Sequence, residues 1–235
     1  MLKKIRYLFV FACICLLIFP EISYSRGLSE KKPEERKDSY LVVIFRPGPK
    51  WVKGKAMFEQ PNISDHAKHY MGPQGKNFKA VFAGYFVDKT GGIVIYDSTD
   101  DKSLREFIEK DPLAQSEVFK IDFMSAIELE KKVVLNNPDK KVHNCVIALI
   151  QPGPKWFKEK SLFDQQDFQG HAKHIKKTEE ELFFGCLLKN DEGGIVGKLG
   201  IYNIEDVEKI RINLMSDPMV QSKVVSLELH PLFLF

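Results

Sequence analysis

The chain has 235 residues, of which 44% are hydrophobic and 29% are charged, and its formal net charge at pH 7 is +3. These values are ordinary for a soluble globular protein and exclude wholesale disorder. The length favours one large domain or two small ones. The small net charge, without a dense basic patch, argues against nucleic acid as a main partner.

The N-terminus has the pattern of a secretory signal. Three basic residues precede an almost unbroken apolar run at 7–19, and small residues lie near position 25. Because a membrane-spanning helix needs about 20 apolar residues, we predict a cleaved signal peptide at 1–25 and a secreted or periplasmic protein. An uncleaved N-terminal anchor is the alternative. The charged residues 26–38 that follow are predicted to be a flexible leader.

The remainder of the sequence contains an internal repeat of two copies. Four blocks recur in one order at offsets between 102 and 106 residues. The blocks are Pro-Gly-Pro-Lys-Trp at 47–51 and 152–156, His-Ala-Lys-His at 66–69 and 171–174, Gly-Gly-Ile-Val at 91–94 and 193–196, and Asp-Pro at 111–112 and 217–218. A repeat of this length has the size of a small domain. We therefore predict a duplicated domain.

Each copy has the same predicted order of elements. Strands are predicted from runs of β-branched and aromatic residues between turn residues. They lie at 40–45, 78–87, 93–96 and 118–127 in the first copy, and at 145–150, 182–188, 195–202 and 224–229 in the second. Helical spacing of apolar residues predicts a helix near His66, capped by Ser64 or Asp65, and further helices at 101–110 and 204–216.

The order β-α-β-β-α-β is that of the ferredoxin-like split motif, a four-stranded antiparallel sheet with both helices on one face. The other face is apolar and must be covered. We predict an α+β fold in which two ferredoxin-like βαββαβ repeats, at 39–130 and 142–235, pack sheet-to-sheet as an intrachain alpha+beta barrel. A polar linker at 131–141 joins them. The protein would then be a monomer with an internal pseudo-dimer.

This topology brings one histidine and one aspartate of each copy to the same edge of the sheet. His66 lies early in the first helix and Asp111 at the end of the second, and His171 and Asp217 repeat the arrangement. An imidazole can take or give a proton near neutrality, and a carboxylate beside it fixes its tautomer. Such a pair suits general acid–base catalysis on a small substrate.

The same residues also have a purely structural interpretation. A polar histidine on the first turn of a helix is ordinary, and Asp-Pro is common where helices stop. Recurrence in both copies favours a function, although folding alone can also preserve a residue after duplication. His66 with His69, or His171 with His174, could bind a metal, but two ligands are too few for structural zinc. No metal and no cofactor is predicted.

Two further features have plain interpretations. Cys145 and Cys186 lie on the first and second strands of one copy, which the third strand separates, so we expect them to be unpaired. Trp51 and Trp156 could line a pocket for an acidic or aromatic ligand. The preferred interpretation is that they pack their loops onto the rim of the barrel.

Several of these motifs resemble the YCII-related family over nearly all of residues 39–235. They are His66, Ala83-Gly84, Gly91-Gly92 and Asp111-Pro112, with His171, Gly185, Gly193-Gly194 and Asp217-Pro218 in the second copy, and Phe-Glu-Gln or Phe-Asp-Gln at 58–60 and 163–165. The resemblance implies a dimeric alpha+beta barrel fold and a His–Asp active site in each repeat. The family's Ala-Gly-Pro after the second strand is altered in both copies, which implies that the two pockets differ.

We therefore expect an exported small-molecule enzyme, of unassigned substrate, that uses a His–Asp acid–base pair. The alternative is a non-catalytic small-ligand-binding or structural barrel, and the sequence leaves the choice open. Neither copy shows an activated nucleophile or a phosphate loop, so a lyase, isomerase or hydrolase fits best. A small molecule is the predicted partner, with no nucleic acid and no membrane after signal cleavage.

Overall fold

A computed structural model describes residues 39–98, 100–131, 145–178, 180–203 and 207–234. The predicted signal peptide at 1–25, the leader at 26–38 and all but the first residue of the linker at 131–141 lie outside the described residues. So does the predicted start of the helix at 204–216, because residues 204–206 are not described.

The described chain contains eight strands and six α-helices. The strands are β1 (Ser39–Pro47), β2 (Lys79–Phe86), β3 (Gly92–Asp97), β4 (Phe119–Lys131), β5 (Cys145–Pro152), β6 (Leu182–Lys189), β7 (Ile195–Asn203) and β8 (Val225–Leu234). The helices are α1 (Ile63–Met71), α2 (Asp101–Glu109), α3 (Pro112–Gln115), α4 (Phe168–Ile175), α5 (Val207–Met215) and α6 (Pro218–Gln221). Each predicted strand is present, and β4 and β8 extend further than expected. None of these helices has the length and apolar character needed to cross a bilayer.

The eight strands form one closed antiparallel barrel in the order β1-β3-β2-β8-β5-β7-β6-β4. In each half the first strand pairs with the third and the fourth, as the sequence predicts. The halves join edge to edge rather than only face to face. β2 pairs with β8 over three residue pairs, and β4 pairs with β6 over six. Closure thus leaves none of these eight strands with a free edge, which protects against edge-to-edge aggregation.

Strand alternation divides the core into three apolar layers. On β1, Tyr40, Val42 and Ile44 face the barrel interior, whereas Leu41 and its odd-numbered neighbours pack under the helices. The interior cluster draws residues from both halves, and each half has its own cluster between sheet and helices. Full burial of one such side chain stabilises the fold by about 1.5–3 kcal/mol. The interior also holds Cys145 and Cys186, which form no disulfide with each other, in agreement with the prediction.

Close backbone contact explains why Pro-Gly-Pro recurs after the first strand of each half. The Gly48 N–H donates to Val118 O at 2.8 Å, and the Gly153 N–H donates to Val224 O at 2.9 Å. A Cβ added at Gly153 would lie 2.6 Å from Lys223 O, and one at Gly48 would be closer still to a backbone oxygen. Only glycine allows this approach, so the motif fixes the loop at the barrel rim.

A buried glutamine closes the same loop in both halves. The Gln165 Oε1 accepts from the Phe157 N–H at 3.0 Å, and its Nε2 donates to Phe157 O and Lys160 O at 2.9 and 3.0 Å. Gln60 makes the corresponding three bonds in the first half. The sequence indicated the Phe-Glu-Gln and Phe-Asp-Gln segments only as family-like motifs, and the structure shows this role for their glutamines.

We expect the substitution Gln165→Ala to lower the free energy of unfolding by about 1–2 kcal/mol, because it leaves buried backbone groups unpaired. Urea unfolding followed by circular dichroism measures the change. Gln166→Ala, one residue along at an exposed position, is the matched control and should change stability by less than about 0.5 kcal/mol. Equal effects of the two substitutions would show that the glutamine does not hold the loop.

A half-buried polar cluster joins the two halves where β1 ends. Arg46, the next inward-facing residue of β1, donates from Nε to Asp122 Oδ2 at 2.7 Å, and its two terminal nitrogens bond Glu228 on β8. Asp122 and Glu228 occupy matching places in the two repeats, and the counterpart of Arg46 is Gln151. His230 adds a 2.6 Å contact to Glu228. One arginine therefore serves carboxylates from both halves.

We expect Arg46→Gln, which copies the residue of the second repeat, to lower the free energy of unfolding by about 1–2 kcal/mol at neutral pH. Burial works to raise the pKa of Glu228, but hydrogen bonds from Arg46 and His230 outweigh it, and the pKa lies below its usual value. A carboxyl with a lowered folded pKa stabilises the fold above its unfolded pKa and loses that stabilisation as the pH falls.

The difference between the native chain and Arg46→Gln should therefore narrow as the pH drops through and below the ordinary carboxyl range near 4. Urea unfolding at a series of pH values measures it. Arg211→Gln removes an exposed pair with Glu208 on α5 and should leave the free energy of unfolding almost unchanged at every pH. If the stability difference between the native chain and Arg46→Gln instead grew as the pH fell, the role assigned to Arg46 would be contradicted.

Candidate functional site

The two helices that carry His66 and His171 each follow a residue in the left-handed backbone conformation. Asn62 and Asp167 have φ angles of 66° and 64°, and α1 and α4 begin directly after them. The predicted caps for α1, Ser64 and Asp65, were wrong, because they lie inside its first turn. This left-handed turn places His66 in the first turn of α1, where the backbone N–H of His66 donates to Asn62 O at 3.1 Å. His171 is held in the same way in α4.

Each candidate aspartate caps a short helix instead of only ending the one before it. Asp111 Oδ1 accepts from the Leu113 N–H at 2.9 Å, and Asp217 Oδ1 accepts from the Met219 N–H at 2.8 Å. Proline follows each aspartate at the first helical position, where its missing N–H is not needed. The local sequence thus fixes one carboxylate oxygen and leaves the other for a second donor.

That second donor is the candidate histidine. His66 Nδ1 lies 2.7 Å from Asp111 Oδ2, and His171 Nδ1 lies 2.6 Å from Asp217 Oδ2. The structure therefore brings together all four residues that the sequence singled out, in two pairs; their catalytic role stays a prediction. A carboxylate can only accept, so in a neutral imidazole Nδ1 would carry the proton and Nε2 would be the acceptor.

Burial and nearby charges change the pKa values of the ionisable side chains around the two His–Asp pairs. Burial works to raise the pKa of Asp217, but the hydrogen bond from His171 and the charges around it outweigh burial, and the pKa is lowered. Burial raises the pKa of Tyr202 to about 12, and the charge of Asp217 adds to that increase. In the first half, burial and then its neighbours Tyr96 and Asp111 raise the pKa of Tyr70 well above its usual value.

The two pairs differ in access. The side chain of His66 is 15% exposed, whereas that of His171 is only 4% exposed, and both aspartates are buried. The His66 ring is bordered by Phe45, Phe119 and Tyr70, with ring centroids 4.9–6.1 Å away. At the position of Tyr70, the second half has Ile175. Sequence analysis missed Tyr70, although its place four residues after His66 on one helix face was a usable signal.

The second histidine of each motif has a structural role. His69 Nε2 lies 2.9 Å from Phe107 O, and His174 Nε2 lies 2.7 Å from Asn213 O, so each ties its helix to the next. The paired histidines thus face different partners instead of one shared ion. Within the described ranges, no group of three or more His, Cys, Asp or Glu side chains is arranged to hold a metal.

The tryptophans pack the rim loops, as the preferred interpretation held. Trp51 stacks on Phe119 with centroids 5.9 Å apart, and Trp156 packs against the helix-side core of the second half. A shallow surface cavity of about 400 Å³ lies nearby, lined by Glu109, Ala114, Gln115, Phe119, Ile121 and Phe123. It shares Phe119 with the surroundings of His66 but does not include the imidazole.

No family model matches the sequence, and no curated protein matches it. Solved structures do share its fold. A mutant chlorite dismutase from Candidatus Nitrospira defluvii, in complex with cyanide, is 9% identical with a TM-score of 0.50, covering 83% of this chain and 91% of that one. A putative chlorite dismutase is 12% identical with a TM-score of 0.49, covering 84% and 95%. A heme-binding protein from Thermus thermophilus is 9% identical with a TM-score of 0.46, covering 84% and 91%.

Identities this low show the fold alone. The chain has a closed antiparallel barrel with flanking helices, and it shares this fold with the chlorite dismutase. These similarities do not show the YCII-related family, and they do not transfer a ligand or a reaction.

The residues around the two imidazoles do not fit a haem. A haem iron is commonly held by a histidine whose free nitrogen faces an open cavity. The ring of His171 is almost fully enclosed, and that of His66 is bordered by three aromatic rings. Two cavities of the described surface, of about 400 and 170 Å³, border neither histidine. The function is therefore argued from the side chains alone.

Proposed function

We propose that the first half of this chain is a small-molecule enzyme in which His66 acts as general acid–base and Asp111 orients it. The observation that carries the proposal is the 2.7 Å contact between His66 Nδ1 and a fully buried carboxylate, with the imidazole still reaching solvent. Nε2 of His66 makes no hydrogen bond to another described residue, so it is available to a substrate.

The second pair has, in this proposal, a structural task. His171 and Asp217 keep the same geometry but are shut away from solvent. We propose that the halves arose by duplication of one ferredoxin-like, YCII-like unit, and that only one copy kept an open site. The sequence repeat and the matching places of the two pairs support this history.

The substrate class follows from what borders the imidazole. Phe45 and Phe119 present apolar ring surface to His66, and Trp51 stacks behind Phe119. A planar or apolar small molecule with one proton to lose fits these surroundings better than a highly charged one. With no nucleophile beside the pair in the described part of the chain, proton transfer is the proposed chemistry, as in an isomerase or a lyase.

The location of the enzyme is also a proposal. The charged start, apolar run and small residues of positions 1–25 support export and cleavage near Ser25. Mass spectrometry of the protein purified from its native host would give the mature N-terminus directly. A chain that begins at Met1 would favour the anchor instead.

A thermal-shift screen of the mature protein against small metabolites tests the proposed function. A hit that stabilises the native chain and loses its effect in His66→Gln supports a ligand bound at this imidazole. A hit that is bound but not converted would favour the alternative, a ligand-binding barrel without turnover. Hits unaffected by His66→Gln would place the ligand elsewhere.

A further inference from the structure

A buried tyrosine hydroxyl lies beside the His66–Asp111 pair. Tyr70 follows His66 by one turn of α1, and the two ring centroids are 4.9 Å apart. Its hydroxyl oxygen is shielded from solvent and makes no hydrogen bond to any described residue. Burial of a hydroxyl without a partner is unfavourable, so an unpaired one at a candidate site calls for an explanation.

The fold does not require this hydroxyl. In the second half the same position is Ile175, which is buried in the apolar layer between sheet and helices. His171 and Asp217 nevertheless keep a contact as short as that of the first pair. An apolar side chain is therefore sufficient for packing and for holding a His–Asp pair. The hydroxyl of Tyr70 is an addition specific to the more open site.

The surroundings of Tyr70 keep its hydroxyl protonated, so it can act as a hydrogen-bond donor. Burial, the neighbouring Tyr96 and the carboxylate of Asp111 raise the pKa of Tyr70 well above its usual value, so the hydroxyl keeps its proton at neutral pH. Asp111 already accepts from the Leu113 N–H and from His66. A carboxylate has about four lone-pair sites, which leaves room for a third donor.

We propose that Tyr70 is a positioning residue whose hydroxyl donates to Asp111, making a Tyr–Asp–His relay in the first half only. This inference rests on the function proposed above for His66. The third donor holds Asp111 as the ionised partner of His66 Nδ1–H and so keeps Nε2 as the basic nitrogen. The ring of Tyr70 lies 4.9 Å from that of His66, and His66 contacts Asp111, so the carboxylate is the acceptor that we assign to this hydroxyl in the free protein.

The test uses Tyr70→Phe, which removes the hydroxyl and keeps the ring. Proton NMR of the free protein follows the downfield Nδ1–H resonances of His66 and His171, assigned with His66→Gln and His171→Gln. Tyr70→Phe is expected to move the His66 resonance and leave that of His171 in place. Tyr85→Phe, the same chemical change on β2 away from both pairs, should move neither. An unmoved His66 resonance in Tyr70→Phe overturns the proposal.

Turnover gives an independent readout once a substrate is known. Tyr70→Phe is expected to lower kcat roughly tenfold, the effect of losing one hydrogen bond to a charged group, with KM little changed. Unchanged kcat would also overturn the role. If the resonance moves but turnover does not depend on His66, the Tyr70–Asp111 contact stands and the proposed function fails. The two failures are thus distinguishable.

Discussion

Replacing His66 with alanine is expected to lower kcat by about 10²–10⁴-fold, the usual contribution of a positioned general acid–base. The reason is geometric: Asp111 is fully buried and its two oxygens are held by Leu113 N–H and by His66, so the carboxylate cannot replace the lost imidazole at the substrate. Steady-state kinetics on a substrate found by screening measures the effect. Circular dichroism of the same sample checks that the barrel remains folded.

His171→Ala is the matched control, because it makes the same change in the closed pair. We expect turnover within about twofold of the native chain, together with a lower unfolding midpoint, since the substitution removes the His171 donor from Oδ2 of the buried Asp217. A parallel loss of turnover in both variants would show that both halves catalyse. Native turnover in His66→Ala would remove this histidine from the mechanism.

Replacing Asp217 with alanine is expected to lower the free energy of unfolding by about 1.5–5 kcal/mol at neutral pH. The change removes the cap of α6, a loss of about 0.5–2 kcal/mol, and leaves the buried His171 Nδ1–H unpaired, which costs a further 1–3 kcal/mol or so. Chemical denaturation at 25 °C measures it. Asp191→Ala, at an exposed position of the β6–β7 turn, should stay within about 0.5 kcal/mol of the native value.

The pH dependence gives a second check on Asp217. Burial opposes ionisation of this carboxyl, but His171 and the Met219 N–H outweigh it, so its folded pKa lies below the unfolded one. Its stabilisation is therefore present above the unfolded pKa, near 3.9, and is lost as the pH falls through the folded pKa. The difference in free energy of unfolding between the native protein and Asp217→Ala should therefore become smaller as the pH falls. A difference that stays constant with pH would mean that Asp217 acts only through packing.

Much of this fold could be predicted because the sequence repeats its signals. Strand and helix positions follow from local patterns, and the strand order within each half follows from the split motif, so the meeting of His66 with Asp111 could be expected before any coordinates. The extent of β4 and β8 could not, since their last residues pair with the other half, at β6 and β2. Pairing between halves has no local signal in the sequence.

The site details that were missed have the same cause. Asp-Pro was interpreted as a helix stop, yet proline equally begins a helix, and only the following backbone shows that Asp111 caps α3. Arg46 lies in an ordinary strand end, and its partner Glu228 is 182 residues away. Tyr70 resembles any other aromatic core residue in the sequence, and only the fold shows that its hydroxyl is buried without a partner and that its ring lies beside that of His66. Such contacts depend on where distant segments meet.

The pairing between β2 and β8 is only three residue pairs long, and this affects how the protein behaves on dilution. A barrel made from two separate chains dissociates as the concentration falls, because its association follows mass action. Here the second half is tethered to the first, at an effective concentration of roughly millimolar or more. Three residue pairs are then enough to complete the ring, and its stability should not depend on how much protein is present. Dilution should therefore leave the His66–Asp111 pair in place.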